Sequence, residues 1–441
     1  MNRFSSFIEE RIAPLANNLA RQKYVQAIQS TFLTMIPFMT VGSFALILIS
    51  PAMDYKAMDA GFMRSFFEAW QAFANFSNGP LNAIFTGTMG CLALYVAVGI
   101  AYYLSKHYKM STFLPTALCA ASFIVVNAVS PKGELTMEYF GGTGLFAAMF
   151  TSIVTLELYR FLYNKKVGRI ELSGAGVPPV LTESFASLVP VLIVMLVMGM
   201  FSSLVIMLTG GAFPGLMGVL MAPIVSMVDN VWGVILLSLL VMILWWFGIH
   251  DSVITGPLSP FLYNNLAGNM AAYAAGTAAI SLPYILTEPF WWTFMAIGGS
   301  GATFGLALLL IRSKSKQMKT VGKLAIVPAF FNINEPIIFG VPLMLNPTLM
   351  FPFIFAMTAN GVISYLMMDL QFVARTFVYP SWNMFCPIGA LLATMDIKAV
   401  LLVVGLIVMD ILIYYPFFKV YEKQKIKEEQ AESDSIELES I

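Results

Sequence analysis

Charged residues are the first thing that the sequence has little of. Asp, Glu, Lys and Arg make up 11% of the 441 residues, whereas average proteins carry about 25%. Hydrophobic residues reach 59% and the mean hydropathy is +0.80, which excludes a soluble globular protein. The 24 basic and 24 acidic side chains cancel. Without a basic surface, nucleic acid is not expected as a partner.

Cysteine and histidine are scarce as well. The three cysteines, Cys91, Cys119 and Cys386, lie in apolar runs at unrelated spacings, which predicts neither a disulfide framework nor a metal site. His107 and His250 are the two histidines, too few for a His-rich metal centre. We therefore predict no metal and no cofactor.

Motifs of other membrane-protein classes are missing. Residues 298–301, Gly-Gly-Ser-Gly, resemble a phosphate-binding loop, but they lack the following Lys-Ser/Thr and lie inside a predicted span. This argues against an ATP-driven pump. No Cys/His dyad suggests an intramembrane hydrolase, and the charged residues 1–11 do not predict a cleaved signal peptide.

Long apolar runs dominate what is present, and they predict an all-α polytopic membrane protein with about ten transmembrane helices. The predicted N-terminal half, residues 1–210, begins with an amphipathic helix over residues 1–20. An interfacial amphipathic helix is expected over residues 211–230, between the two halves. Five spans are predicted in the N-terminal half, near residues 24–49, 81–104, 111–130, 141–163 and 187–209.

The predicted C-terminal half, residues 231–420, is interrupted by polar and helix-breaking residues. Residues 251–290 and 371–395 mix Pro, Gly and Asn with apolar residues, and each region is expected to form a re-entrant hairpin. The polar tail, residues 421–441, is predicted to be disordered. Continuous spans in this half are expected near residues 231–249, 291–311, 349–369 and 397–418.

Basic residues orient the predicted spans. Lys and Arg cluster between positions 312 and 323, and lysines cluster again between 419 and 427. Positive charge next to transmembrane helices stays on the cytoplasmic side. The N-terminus, the 312–323 loop and the C-terminus are therefore expected in the cytoplasm, which requires an even number of crossings.

Residues 330–340, Phe-Phe-Asn-Ile-Asn-Glu-Pro-Ile-Ile-Phe-Gly, place one carboxylate and two amides in an apolar run. A charge at the centre of a span costs roughly 2.5 kcal/mol or more. Pro336 disfavours helical geometry at Glu335, and such a break is tolerated at membrane depth only inside protein or beside a cavity. Asn332 and Asn334 offer donors and acceptors that suit a polyhydroxylated ligand. A loop at the lipid surface is the plainer alternative.

His250 is a second candidate. It follows a bulky apolar run that contains Trp246 and precedes Asp251, at the start of the first interrupted region. Neutral imidazole can accept a hydroxyl proton, and Asp251 can hold its tautomer. A structural histidine is the alternative.

Trp382 and Asn383 lie in the second interrupted region. An indole stacks on the C–H face of a sugar while an amide binds its hydroxyls; a membrane-interface anchor is the alternative for the tryptophan. Trp246 and Glu288, the latter in a second Glu-Pro step, complete the candidate substrate-binding set. Four further acids lie nearer predicted span ends, where solvated or snorkelling roles are expected: Glu157, Asp369, Asp396 and Asp410.

Residues 332–342, with Gly248-Ile249-His250 upstream, resemble the membrane component (IIC) of bacterial phosphoenolpyruvate-dependent sugar phosphotransferase systems. The resemblance is strongest to the lactose/cellobiose/diacetylchitobiose branch. It covers nearly the whole chain, including residues 177–185. It implies a multi-pass protein of the bacterial inner membrane and a homodimer whose N-terminal half makes the subunit contact.

The same resemblance implies that sugar binds in the C-terminal half between the two re-entrant hairpins. Glu335 and His250 would contact the hydroxyl that becomes phosphorylated, with Asn334 and Trp382 among the ligand contacts. The phosphoryl group would come from separate subunits, a phosphocysteine-bearing IIB and a phosphohistidine-bearing IIA. The chain would thus act mainly as a transporter.

The function predicted is a permease for a β-linked disaccharide, cellobiose or N,N'-diacetylchitobiose, with lactose not separated from them. The sequence leaves open whether Glu335 or His250 is the base. A cation-coupled secondary sugar transporter with Glu335 as the coupling site is the alternative. A receptor or structural membrane protein is disfavoured, because polar groups in broken membrane segments are costly unless they bind something.

Overall fold

A computed structural model describes residues 22–49, 51, 55–130, 133–170 and 179–439. Across these residues the chain is helical, and Val129 and Leu135 form an isolated bridge instead of a strand pair. The all-α prediction is therefore confirmed. The amphipathic helix expected over residues 1–20 lies outside the described residues.

Apolar helices of membrane-spanning length are present in both halves of the sequence. By length and composition, six stretches of the described residues qualify as spans, and one helix pair bent by 71° qualifies as a seventh. This supports a polytopic membrane protein, while the count of about ten spans stays a prediction. The six spans are Lys23–Ile49, Phe62–His107, Gly142–Asn164, Leu181–Thr209, Pro347–Asp369 and Ile397–Ala431, and the bent pair is Phe213–Val228 with Val231–Trp246.

Contacts divide the chain into two units. The N-terminal unit comprises Arg21–Val225 with Ser259–Ala271, and the C-terminal unit includes Ser226–Leu258 and Ala272–Ile441. Residues 259–271 thus group with the N-terminal helices, although the predicted half limits placed them in residues 231–420. Those functional limits stay predictions.

The N-terminal unit is built from helices α1 to α6 and most of α7, and three of its five predicted spans, near residues 24–49, 141–163 and 187–209, match single helices. Close helix contacts are made possible by small residues: a Cβ at Gly99 would lie 2.5 Å from Thr31. Phe32 stacks on Tyr263 at 4.8 Å between ring centroids. These helices are α1 Lys23–Ile49, α2 Phe62–Thr88, α3 Leu92–His107, α4 Phe113–Phe123, α5 Leu145–Asn164, α6 Pro179–Thr209 and α7 Phe213–Val228.

The C-terminal unit is more broken. Its helices are α8 Val231–Trp246, part of α9 Ser252–Ala274, α10 Phe304–Ile311, α11 Lys316–Phe330, α12 Glu335–Gly340, α13 Pro347–Asp369, α14 Cys386–Thr394 and α15 Ile397–Glu439. Asn230 caps α8 by accepting the N–H of Gly233 at 2.9 Å. The two expected re-entrant hairpins stay predictions. Within the first region, α9 is one continuous helix, and irregular backbone follows it.

The predicted continuous span over residues 291–311 is wrong. A π-helix, Phe290–Met295, is followed by an irregular segment, residues 296–303, before α10 begins. Gly298, Gly299 and Gly301 have φ angles of +78°, +97° and +86°, which glycine adopts without steric cost. We call residues 296–303 the glycine loop.

The chain after residue 420 also differs from expectation, because α15 continues through Glu439. Lys and Glu favour helix, and the extension contacts the start of α11. Glu422 accepts the N–H of Lys314 at 2.7 Å, and Glu429 accepts that of Gln317 at 2.8 Å. Acidic side chains thereby satisfy backbone donors that a helix start leaves without partners.

Candidate functional site

The site motif occupies the turn between α11 and α12. The N–H groups of Phe331 and Ile333 both bond to Pro328 O, which ends α11. Pro336 then takes the first turn of α12, where its missing N–H costs no hydrogen bond. The predicted break at the acid is present. Glu335 becomes the first residue of a six-residue helix, and its side chain is exposed.

Asn332 is buried and forms hydrogen bonds with several neighbouring chain segments. It adopts a left-handed φ of +59°, and its Nδ2 donates to the carbonyls of Trp292 at 3.1 Å and Trp382 at 2.9 Å. Its Oδ1 accepts the N–H of Gly298 at 2.8 Å and the Sγ–H of Cys386 at 3.1 Å. With both amide hydrogens engaged, Asn332 joins three chain segments around the site.

Asn334 braces the glycine loop from the other side. Its Nδ2 donates to Ser300 O at 2.6 Å and to Thr303 Oγ1 at 3.0 Å. A Cβ on Gly299 would lie 2.5 Å from the Asn334 side chain, so glycine is required for this approach. The geometry therefore favours a positioning role for Asn334, because both of its amide hydrogens already have protein acceptors.

His250, Asp251 and Ser300 form one hydrogen-bonded chain. His250 Nδ1 lies 2.9 Å from Asp251 Oδ1, and Ser300 Oγ donates to Asp251 Oδ2 at 2.5 Å. The predicted contact between His250 and its neighbouring acid is present. Asp251 is buried, whereas the side chain of His250 is 54% exposed. The indole ring of Trp245 packs against the imidazole at 4.7 Å between centroids.

Electrostatics favour the protonated form of this histidine. His250 lies in the turn between α8 and α9, outside the spanning helices. The hydrogen bond with Asp251 raises the pKa of His250 above its usual value, partial burial opposes this rise, and the charges of Asp251 and Glu335 add to it. Among the described residues, no group donates a hydrogen bond to the Glu335 carboxylate.

Two tryptophans lie in the chain segments that Asn332 contacts. Trp292 and Trp382 are half-buried, with ring centroids 6.1 Å apart and planes tilted by 54°. Asn332 holds both segments through their backbone carbonyls. Asn383 is exposed and accepts a hydrogen bond from Ser381 Oγ at 2.6 Å. The two indoles are therefore partly exposed, and their chain segments are held next to the motif by Asn332.

Two predicted site residues have other partners. Trp246 is buried, and its Nε1 donates to Asn346 O at 3.2 Å, which fixes the turn after α12. Glu288 is buried and accepts a hydrogen bond from Tyr379 at 3.3 Å. Trp246 and Glu288 therefore both have partners within the protein. Their predicted contact with substrate stays a prediction.

Sequence reasoning missed the glycine loop. It treated residues 298–301 as part of a span, although Ser300 contacts Asp251 and Gly298 contacts Asn332. Three glycines within four residues were the available signal, because such a run disfavours a helix. Cys386 is buried, and its thiol donates a hydrogen bond to Asn332 Oδ1. Within the described ranges, no cluster of three or more His, Cys, Asp or Glu could hold a metal ion.

Known proteins resemble this chain over nearly its full length. Residues 29–356 match the family described as phosphotransferase system, EIIC. The cellobiose-specific EIIC component of Geobacillus stearothermophilus is 33% identical, over 98% of this chain and 97% of the relative. The lichenan permease IIC component of Bacillus subtilis (strain 168) is 30% identical, over 97% and 96% respectively.

A solved structure shares the fold. The crystal structure of ChbC, the IIC component of the N,N'-diacetylchitobiose-specific phosphotransferase system, matches with a TM-score of 0.86 and 31% sequence identity. The match covers 96% of this chain and 99% of that chain. Similarity at this level extends through both units of the protein.

Proposed function

The chain belongs to the EIIC family of sugar phosphotransferase systems, and on that premise we propose that it moves a β-linked disaccharide across the bacterial inner membrane. It then presents one sugar hydroxyl to a separate phosphocysteine-bearing IIB subunit, which is itself recharged by a phosphohistidine-bearing IIA subunit. The family resemblance predicted from the sequence is confirmed, and the protein is a membrane permease of the cellobiose/lactose type.

The observation that carries the proposal is the exposed carboxylate of Glu335 on a broken backbone. Its charge also adds to the rise in the pKa of His250. A charge in an apolar chain is costly unless it has a partner. Glu335 has no hydrogen-bond donor among the described residues. A sugar hydroxyl supplies a donor for this carboxylate, and binding the sugar then offsets the cost of keeping the charge there.

The geometry favours Glu335 as the base. His250 is held toward its protonated form by Asp251, so it is suited to donate to a sugar oxygen and not to accept a proton. In the transfer step, the sugar oxygen attacks phosphorus and the phosphorus–sulfur bond breaks. The hydroxyl proton passes to Glu335, and the IIB cysteine leaves as a thiolate. Positioning and proton acceptance together supply the catalysis.

The two amides of the motif are assigned positioning roles. Asn332 and Asn334 tie the glycine loop and the tryptophan segments together. Trp292 and Trp382 are the surfaces on which the sugar rings stack, with Asn383 beside them for hydroxyl or acetamido contacts. Relatives named for cellobiose and diacetylchitobiose support a β-linked disaccharide.

The phosphoryl donor is assigned to another subunit because the cysteines of this chain are unsuited to that role. Cys119 and Cys386 are buried, and Cys91 is half-buried at a helix start. Burial raises the pKa of the Cys386 thiol to about 11, so it carries no thiolate for phosphoryl transfer at neutral pH. We further propose a homodimer formed by the N-terminal half, with both chain termini in the cytoplasm.

A binding and product assay tests the function. Purified protein in detergent is offered labelled diacetylchitobiose, with cellobiose, lactose and glucose as competitors. We expect saturable binding, with the competition order identifying the sugar. In vesicles supplied with IIA and IIB, the sugar inside should be phosphorylated. Uptake of unmodified sugar driven by a proton or sodium gradient would instead establish a secondary transporter and overturn the proposal.

A further inference from the structure

Asp410 is a carboxyl group in the middle of an apolar helix. It lies on α15 within the candidate span Ile397–Ala431, and its side chain is fully buried. The prediction that it is solvated near a span end is wrong, because α15 extends well beyond it on both sides. Its carboxyl Oδ2 accepts a hydrogen bond from Asn360 Nδ2 on α13 at 3.1 Å.

Two buried oxygen atoms of this pair have no hydrogen-bond partner. These are Asp410 Oδ1 and Asn360 Oδ1, which are both acceptors when the acid is ionised. No Lys, Arg or His among the described residues forms an ion pair with Asp410. Among the described residues, the surroundings therefore lack a counter-charge for Asp410, and they lack a donor for its Oδ1 and for Asn360 Oδ1.

An ionised carboxylate is poorly suited to this environment. Burying an unpaired charge costs far more than burying a neutral polar group, and each buried acceptor without a donor adds a further penalty. One proton on Asp410 Oδ1 removes the charge and supplies the missing donor. A carboxylic acid and a primary amide are then complementary, since each has one donor beside one acceptor.

We propose that Asp410 is a permanently protonated carboxylic acid, paired with the amide of Asn360, and that this neutral pair positions the glycine loop of the sugar site. The pair is a proton-binding site that the transfer mechanism does not use. Its positioning role rests on the proposed function, whereas its protonation does not.

Asn360 contacts the start of the glycine loop, and Tyr414, on the same helix as Asp410, contacts Gly301 within it. Asn360 Nδ2 also donates to the carbonyl of Met295 at 3.3 Å, where the π-helix ends and the loop begins. One helical turn beyond Asp410, the Tyr414 hydroxyl donates to Gly301 O at 2.7 Å. A Cβ on Gly305 would approach Asp410 Cβ to 3.0 Å, so α10 packs directly on the acid.

The groups that face Asp410 from the neighbouring elements are uncharged. Tyr414 on α15 and Cys386 on α14 are the ionisable groups near it, and both are buried. Helix α10, Phe304–Ile311, contributes apolar residues and glycine alone. Nothing on these elements supplies a positive charge that would hold a carboxylate ionised.

Infrared spectroscopy of the purified full-length protein tests the protonation directly. The carbonyl stretch of a protonated carboxylic acid should be present at neutral pH, where an exposed Asp is ionised. Asp410→Asn should remove one such band, whereas Asp59→Asn, at an exposed position, should remove none. The proposal is overturned if the carboxylic acid band is unchanged in Asp410→Asn. It is also overturned if this variant loses a carboxylate band instead, because Asp410 would then be ionised in the wild type.

Sugar binding tests the positioning role. Asp410→Asn keeps a neutral donor and acceptor, so binding should stay within about threefold of wild type, whereas Asn360→Leu should weaken it roughly tenfold or more. The exchanged pair, Asp410→Asn with Asn360→Asp, keeps one acid and one amide in contact and should bind sugar within about threefold of wild type. If Asn360→Leu does not fold, the exchanged pair still decides: a folded double variant without sugar binding contradicts the role. If Asp410→Asn loses the infrared band but every variant binds sugar normally, the protonation of Asp410 is supported and its positioning role is refuted.

Discussion

Glu157 in the N-terminal unit and Glu335 in the C-terminal unit are both acids within apolar sequence, and their surroundings differ in kind. Glu157 accepts hydrogen bonds from the hydroxyls of Tyr24 and Tyr108 and from Arg160 Nε, and Lys23 lies 3.5 Å away. Glu335 is exposed, and no described residue donates to it.

This difference follows from the backbone. Glu157 lies on a continuous helix, α5, whose neighbours bring donors to it, so its charge is satisfied within the protein. Glu335 begins a short helix after a turn, and the polar side chains around it are bonded to one another. An acid whose partners are all internal stabilises the fold, whereas an acid left without a donor remains available to a ligand.

The largest expected effect comes from Glu335→Gln. The amide keeps the size of the side chain but cannot accept the hydroxyl proton, so phosphorylation by IIB should fall by about 100-fold or more. Sugar binding should also weaken. Rates measured with excess IIA and IIB, beside direct binding of labelled sugar, separate the two effects.

Glu157→Gln is the matched control for that variant. It loses two ion pairs, with Lys23 and Arg160, and weakens several hydrogen bonds, so the free energy of unfolding in detergent should fall by about 1–3 kcal/mol. Sugar affinity of the folded fraction should not change. The comparison between the two units breaks down if Glu157→Gln abolishes phosphorylation while thermal unfolding is unaffected.

A second large effect is expected at Gly299. In Gly299→Ala, the new Cβ would meet Asn334 at 2.5 Å, and alanine would be strained at a φ of +97°. Displacement of Asn334 should weaken sugar binding about tenfold or more. Gly405→Ala is the control, because its Cβ meets nothing within 4 Å. Normal sugar affinity in folded Gly299→Ala would show that the glycine loop does not shape the site.

Much of the architecture was predictable because hydropathy is a local property. Three of the five N-terminal spans match single helices, and the break at Glu335 follows from Pro336. The contact between His250 and Asp251 was also predictable, because the two residues are neighbours in sequence. Each of these inferences needs the chemistry of a short stretch and nothing more.

The parts that could not be predicted depend on contacts between distant residues. Asn334 looks like a ligand residue in isolation, yet its donors are used by Ser300 and Thr303, more than 30 positions away. Asp410 looks like a residue near a span end until Asn360 is placed beside it. The helical tail likewise depends on the start of α11 being within its reach.

A moderate effect is expected from Asp251→Asn, read as a pH profile. The hydrogen bond with Asp251 raises the pKa of His250, so wild-type histidine keeps its proton to higher pH than a free histidine. If the imidazolium donates to the sugar, binding falls as the pH rises through this raised pKa. In Asp251→Asn that fall should move to lower pH, leaving binding at about pH 8 a few-fold weaker.

Ser300→Ala supplies the control for this profile. It removes the hydroxyl donor to Asp251 Oδ2 but leaves the aspartate and its charge beside His250. The shift in the pH dependence should therefore be smaller than in Asp251→Asn. Identical profiles for wild type and both variants would exclude a role for the His250 charge in binding.

The smallest effect is expected for Glu429, on the extension of α15. Glu429 and Glu335 belong to the same unit, so this variant compares a structural acid with the acid of the site. Glu429 accepts hydrogen bonds from Ser315 Oγ and from the N–H groups of Lys316 and Gln317. A negative charge at a helix start contributes about 0.3–1 kcal/mol, so Glu429→Gln should lower the free energy of unfolding by about that amount.

Glu428→Gln is the neighbouring control, since Glu428 pairs with Lys425 alone on the same exposed helix, an interaction worth about 0.3–0.5 kcal/mol. Neither variant should change sugar affinity by more than about twofold, because these acids already have their partners within the protein. A tenfold loss of sugar affinity in Glu429→Gln, with stability unchanged, would contradict this expectation. It would mean that hydrogen bonds at the start of α11 affect the geometry of the Asn332–Glu335 motif, which follows the end of that helix. The distinction between paired acids and ligand-binding acids would then fail within the C-terminal unit itself.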